Sequence, residues 1–252
     1  MRVFILTLFP KMITGFFEES IIKRAIKKKL VDIEIINLRD FAIDSYGTVD
    51  DRPYGGGAGM VLRADVIWAA LNKLKVKSKK LKVKTILTSA KGKQFNQNIA
   101  IEFSKLNHLI IIAGHYEGVD ERVLDYVDEE VSLGDFVMTG GEITAVAIID
   151  SVIRLLPGVL KKDDATCEES FFNVSVDEIS NAVGKHKILK SLVLKGRKVV
   201  KLLEYPHYTR PEEFEGQKVP EILKCGDPKK IRQWRIQQAF LQTLSKRPDL
   251  LE

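Results

Sequence analysis

Cysteine is nearly missing: Cys167 and Cys225 are the only two in 252 residues, too few for a disulfide scaffold or a four-ligand zinc site. Long apolar runs are missing too. The longest stretch free of Asp, Glu, Lys and Arg, residues 106–116, is eleven residues, well short of the ~20 a membrane-spanning helix needs. The apolar start at residues 3–9 has only Arg2 before it, Pro10 after it and no small-residue cleavage site, which argues against a signal peptide. No G-x-G-x-x-G follows the first apolar run, and no Lys-Ser/Thr follows the glycine cluster at 55–59. H-E-x-x-H, C-x-x-C and G-x-S-x-G do not occur. These absences speak against a dinucleotide-binding N-terminus, a P-loop nucleotide triphosphatase, a zinc peptidase and a serine hydrolase. A cytoplasmic protein with reduced thiols and no membrane partner is expected.

What is present is an excess of cations, 40 Lys+Arg against 34 Asp+Glu, for a formal net charge of +6. Nine lysines fall between Lys73 and Lys93 with no acid among them. A second run, 185–201, holds seven Lys/Arg in seventeen residues, again without an acid. Blocks of like charge repel, so each run is either a solvated surface or a surface that a polyanion neutralises. Nucleic acid is therefore a candidate partner. The 45% hydrophobic content suffices for a globular core.

The apolar pattern opens as an α/β fold. Residues 3–8 form a continuous apolar run, the mark of a strand buried on both faces. Residues 12–29 space Ile13, Phe16, Phe17, Ile21, Ile22 and Ala25 as a helix, and 31–37 alternate as a second strand. Further strands are expected at 83–88, 109–113 and 130–133, and an almost wholly apolar helix at 142–156. Glycine-bearing turns follow several strands, at 89–92, 114–118 and 134–141. In a parallel sheet, turns at the carboxyl ends of strands converge on one ligand cleft. Arg154, near the end of the apolar helix, either emerges there to suit the helix dipole or meets an anion. Beyond Pro157-Gly158 the texture turns polar. Residues 187–194 and 198–205 are expected to flank a hairpin turn, and a helix is expected at 228–246, with Trp234 and Phe240 on one side.

Several motifs, in order along nearly the whole chain, resemble one family. They are Asp51-Arg52-Pro53-Tyr54-Gly55-Gly56-Gly57-Ala58-Gly59-Met60, Gly114-His115-Tyr116-Glu117-Gly118-Val119-Asp120-Glu121-Arg122 and Ser132-Leu133-Gly134-Asp135-Phe136-Val137-Met138-Thr139-Gly140-Gly141-Glu142. Pro157-Gly158-Val159-Leu160, Pro206-His207-Tyr208-Thr209-Arg210-Pro211 and Arg247-Pro248-Asp249-Leu250-Leu251 continue the series. The chain is similar to the bacterial tRNA (guanine-37-N1)-methyltransferases of the SPOUT class. The resemblance implies a parallel α/β sheet with a deep trefoil knot and a small C-terminal α-helical domain. It divides the chain into a knotted methyl-donor domain at 1–162, an interdomain linker at 163–205 and a helical tRNA-binding domain at 206–252. It also implies a homodimer with shared active sites, S-adenosylmethionine as donor, and magnesium in turnover, although no spacing here marks a metal site.

Carried onto this sequence, the resemblance implies donor contacts from Leu87, Thr88, Ser89, Lys91 and Gly92, from Gly114 and Tyr116, and from Ser132, Leu133 and Gly134. Met138, Gly140, Gly141 and Thr144 complete that set. Guanosine and tRNA fall to Asp50, Gly55, Gly56, Gly57, Gly59 and Glu117, with His207, Tyr208 and Arg210. Methylating N1 of neutral guanine requires a base for its proton and a donor for the charge on O6. Arg154 matches the family arginine, and Glu169 stands where the family has an aspartate before Ser-Phe. Asp163 and Asp164 are alternative bases. The sequence departs from the family at Glu169, at His115 (an arginine expected), at Thr144 (a proline expected), and in some 35 residues between Phe171 and Pro206, readable as extra phosphate-contacting surface. Other implied readings are methylation at another RNA position and a catalytically silent RNA-binding homologue.

Overall fold

The computed structural model describes residues 1–74, 81–161 and 168–252. The alternative bases Asp163 and Asp164, and part of the first lysine run, lie outside the described residues. The chain forms two compact units, Met1–Asp163 and Asp164–Glu252.

The first unit is built on five strands, β1 (Arg2–Thr7), β2 (Asp32–Asn37), β5 (Val83–Gln94), β6 (His108–Ala113) and β7 (Glu129–Ser132). They form one sheet in the order β2-β1-β6-β5-β7, and every neighbouring pair is parallel. The pleat divides each central strand between two cores. Val3 and Ile5 of β1, and Leu109 and Ile111 of β6, belong to one cluster. Phe4 and Leu6, with Ile110 and Ile112, belong to the other. A strand buried on both faces has no polar positions, which explains the unbroken apolar runs.

The first cluster is covered by α1 (Thr14–Phe17), α2 (Ser20–Lys27), α4 (Gln97–Phe103) and α5 (Glu142–Ile153), the second by α3 (Ala64–Leu74). The helix expected at 12–29 is broken: the chain turns at Ser20, whose φ is 55°, so that Phe17 and Ile22 both reach one core. A short antiparallel pair, β3 (Asp50–Asp51) with β4 (Val61–Leu62), closes the glycine-rich loop between them. No helix among the described residues is long and apolar enough to cross a membrane.

The second unit corrects two expectations. Residues 187–194 form a helix rather than a hairpin arm, and the expected linker folds. Here β8 (Phe172–Ser175) pairs antiparallel with β9 (Val199–Leu202), enclosing α6 (Val176–Val183) and α7 (Lys187–Leu194). Ile188, Leu189 and Leu192 turn one helical face inward, and Leu189 and Leu192 share a core with Phe172, Leu202 and Phe240. After another short pair, β10 (Glu213–Phe214) and β11 (Gln217–Lys218), comes α8 (Pro228–Lys246). Asp227 caps α8 by accepting from Lys229 N and Lys230 N, with proline at the first helical position. Its buried face is Ile236, Ala239, Phe240 and Thr243. Trp234 instead lies beside the Tyr208 ring, centroids 6.4 Å apart.

Candidate functional site

The middle of β5, the carboxyl end of β6 and the turn before α5 are stitched together by hydrogen bonds. Thr88 Oγ1 donates to Ile112 O at 3.2 Å and accepts from Gly114 N at 3.0 Å. Gly141 N donates to Gly114 O at 2.7 Å. A methyl at Gly141 would collide with Thr88 Oγ1 and meet Gly114 N at 2.8 Å, so only glycine permits this approach. Residues 89–92 loop out of the sheet: Thr88 and Lys93 both pair with Val131 across a register shift. The excursion forms one wall of a cleft of about 270 Å³.

Every residue expected to contact the donor lines this cleft except Gly92. Gly92 instead sits against the neighbouring strand, where a Cβ would meet the Glu130–Val131 peptide at 2.5 Å. Leu87, Leu133 and Met138 give the cleft apolar walls, and Ser132 Oγ accepts from Gly134 N at 3.1 Å, pinning the turn at 132–134. Phe136 and Val137, to which no role was assigned from sequence, also line it and are exposed.

The expected guanosine side joins the same cleft through Glu117. Glu117 N donates to Met60 O at 3.1 Å. A Cβ on Gly59 would sit 2.5 Å from Glu117 Cγ, and Gly59 has φ +82°, in the left-handed region that glycine tolerates. Gly55, Gly56 and Gly57 also have positive φ. Burial, followed by the nearby Asp50 carboxylate, pushes the Tyr116 pKa up.

One buried group was not assigned from sequence. Glu142, the first residue of α5, is fully buried. Thr7 Oγ1 donates to its Oε1 at 2.8 Å, and its Oε2 faces His115 Nδ1 at 3.6 Å. His115 is packed by Phe9, ring centroids 4.6 Å apart, and by Tyr116. The signal was an acid opening an otherwise apolar helix, where it suits the dipole.

Arg154 caps the C-terminal end of α5, partly buried. Glu169 belongs to the second unit, where its carbonyl accepts from Phe172 N at 3.1 Å. There too lie His207, 3.4 Å from Glu204, Tyr208 beside Trp234, and Arg210, which precedes a cis proline. Among the described residues, no three or more His, Cys, Asp or Glu side chains gather as a metal site.

A family model described as tRNA (Guanine-1)-methyltransferase TrmD matches residues 1–252. A tRNA (guanine-N(1)-)-methyltransferase of Dictyoglomus turgidum is 47% identical over 252 residues, spanning 100% of this chain and 90% of that protein. Proteins of the same description are 46% identical in Clostridium beijerinckii, over 99% of this chain and 92% of theirs, and 44% identical in Syntrophomonas wolfei, over 100% and 90%.

Proposed function

Because the chain belongs to the tRNA (guanine-1)-methyltransferase family and performs its transfer of a methyl group to N1 of a tRNA guanine, we propose that the target is guanosine 37 of the anticodon loop and that the cleft of the first unit takes S-adenosylmethionine. That donor supplies a methyl carbon activated by a sulfonium. The cleft suits it chemically: backbone N–H and C=O groups of three turns can read an adenine edge, and Leu87, Leu133 and Met138 offer apolar walls. A trefoil-knotted chain path belongs to the same proposal.

The chain's own residues divide the rest of the chemistry. Glu117 accepts from the N–H edge of guanine, beside the 55–59 turn and Asp50. Glu169 takes the N1 proton, which frees the lone pair to bond the methyl carbon as the carbon–sulfur bond breaks and the sulfur leaves as a neutral thioether. Arg154 donates to O6 as negative charge collects there. His207, Tyr208 and Arg210 hold the RNA. Two copies of the chain assemble, each site combining the cleft of one with the second unit of its partner. A magnesium requirement in turnover and work in the cytoplasm complete the proposal.

The observation that carries this reading is convergence: residues 87–91, 114–118 and 132–144 close around one cleft, with Glu117 held against Gly59. Labelled donor is incubated with tRNA bearing G or A at position 37, and the modified nucleotide is mapped. Label on N1 of G37 alone is expected. Equal labelling of both tRNAs, or label at another nucleotide, overturns the assignment.

A further inference from the structure

We propose that the surface formed by residues 185–199 of the second unit grips the phosphate backbone of the substrate tRNA, a contact additional to the motif residues His207, Tyr208 and Arg210. The proposal rests on the tRNA reading above. Lys185, Lys187, Lys190, Lys195, Arg197 and Lys198 are all exposed. None of them has an ion pair among the described residues, and no acid occurs between residues 185 and 203. Elsewhere in the same unit cations do meet carboxylates: Arg232 holds Glu168 and Glu178, Arg247 holds Asp249, and Lys224 holds Glu221. The nearest acid on each side of the run, Glu178 and Glu204, thus faces Arg232 and His207 respectively.

The placement of these cations costs the free protein stability. Lys185 and Lys187 stand at the N-terminal end of α7, where the helix dipole disfavours positive charge. Lys187 and Lys190 are three residues apart on one helix face, a repulsive spacing. A polyanion relieves both penalties at once. Val193 and Leu194 are exposed beside the lysines, Leu194 at 87%, and line an open groove with Lys185 and Lys190. Basic residues next to apolar ones also suit a lipid surface. RNA is favoured because the protein's substrate is itself a polyanion.

The test compares the wild type with the fourfold variant Lys185→Gln, Lys187→Gln, Lys190→Gln and Lys195→Gln, and with the corresponding fourfold Lys→Arg variant. Affinity for full-length tRNA is measured across a salt series. Each phosphate contact adds about 0.9 to the slope of log affinity against log salt, so the Gln variant should lose roughly 2–4 units of slope. Its affinity at low salt should fall roughly 10- to 100-fold, with the Arg variant close to wild type. Circular dichroism and binding of S-adenosylmethionine check that the variants are folded. Methylation of tRNA by the wild type, with an unaltered slope in the Gln variant, overturns the proposal and leaves the functional reading standing. Loss of binding to phosphatidylglycerol vesicles with no change toward tRNA overturns it in favour of a membrane contact. A wild type that neither binds nor methylates tRNA sinks the functional reading and the proposal together.

Discussion

Glu142 and His115 face each other at 3.6 Å, Oε2 to Nδ1, and neither atom has a hydrogen bond among the described residues. Thr7 secures the other carboxylate oxygen from β1. The first strand, the turn after β6 and the start of α5 thus meet at Glu142, with the Thr7 hydrogen bond joining the first to the last and His115 lining the cleft. His115 and Gly140 also form an isolated bridge, so the Gly140-Gly141 turn rests on this contact. Truncating Glu142 strands the buried Thr7 hydroxyl, and Glu142→Ala should lower stability by about 1–3 kcal/mol. Donor affinity should fall by roughly tenfold or more as the turn loses its support. Urea unfolding and calorimetric titration with S-adenosylmethionine check this; unchanged donor affinity would limit the pair to a packing role.

Gly141→Ala should be worse for donor binding than for folding. The added methyl would have to displace Thr88 and Gly114, an overpacking cost of about 1–3 kcal/mol. The same shift opens the floor of the cleft, so donor binding should become unmeasurable. Gly15→Ala is the control, since nothing lies within 4 Å of a Cβ there; it should fold and bind donor as the wild type does.

Glu169→Gln and Arg154→Ala should each reduce turnover by roughly 100-fold or more while donor binding persists. If sites are shared between chains, mixing the two inactive proteins restores activity. A heterodimer then holds one site with both native residues, so random exchange should recover about a quarter of wild-type activity. Sites confined to one chain would recover none, and a rate for Glu169→Gln near wild type would place the base elsewhere.

His108 supplies a pH dependence. Burial, followed by the charges of Arg2 and the N-terminus, pushes its pKa below the ordinary imidazole value. The unfolded chain then binds the proton more readily than the native state. Its stabilising contribution is complete above the unfolded value of about 6.5 and is lost as pH falls through the lowered native value. Denaturant unfolding should show stability declining below about pH 6.5, and less steeply in His108→Gln. Identical slopes in the two proteins would remove His108 from the account.

Much of the first unit was legible because its elements carry local signals. Strands buried on both faces must be apolar along their centres, and β1 at residues 3–6 and β6 at residues 109–113 are. An apolar helix such as α5 announces its burial in the same way, and Asp227-Pro228 marks the start of α8 before any tertiary contact is known. The second unit was less legible. The cations of residues 185–198 sit among Leu189, Leu192, Val200 and Leu202, and the charge hid the spacing by which those four residues reach a core. Reading 163–205 as a linker followed from the resemblance; the apolar positions between the lysines bring its described part into the unit containing α8.

The sequence by itself determined the buried strands of the first unit, the apolar helix α5, the long helix α8 and the glycine-bearing turns, because side-chain periodicity and backbone freedom act within a few residues. Only the tertiary structure decided that residues 89–92 leave the sheet opposite Val131, that Gly92 is pressed against the Glu130–Val131 peptide rather than lining the cleft, and that Thr7 and His115 converge on Glu142. Each of these depends on the register between segments distant in the chain. That register is set by the packing of whole faces, and no local pattern encodes it.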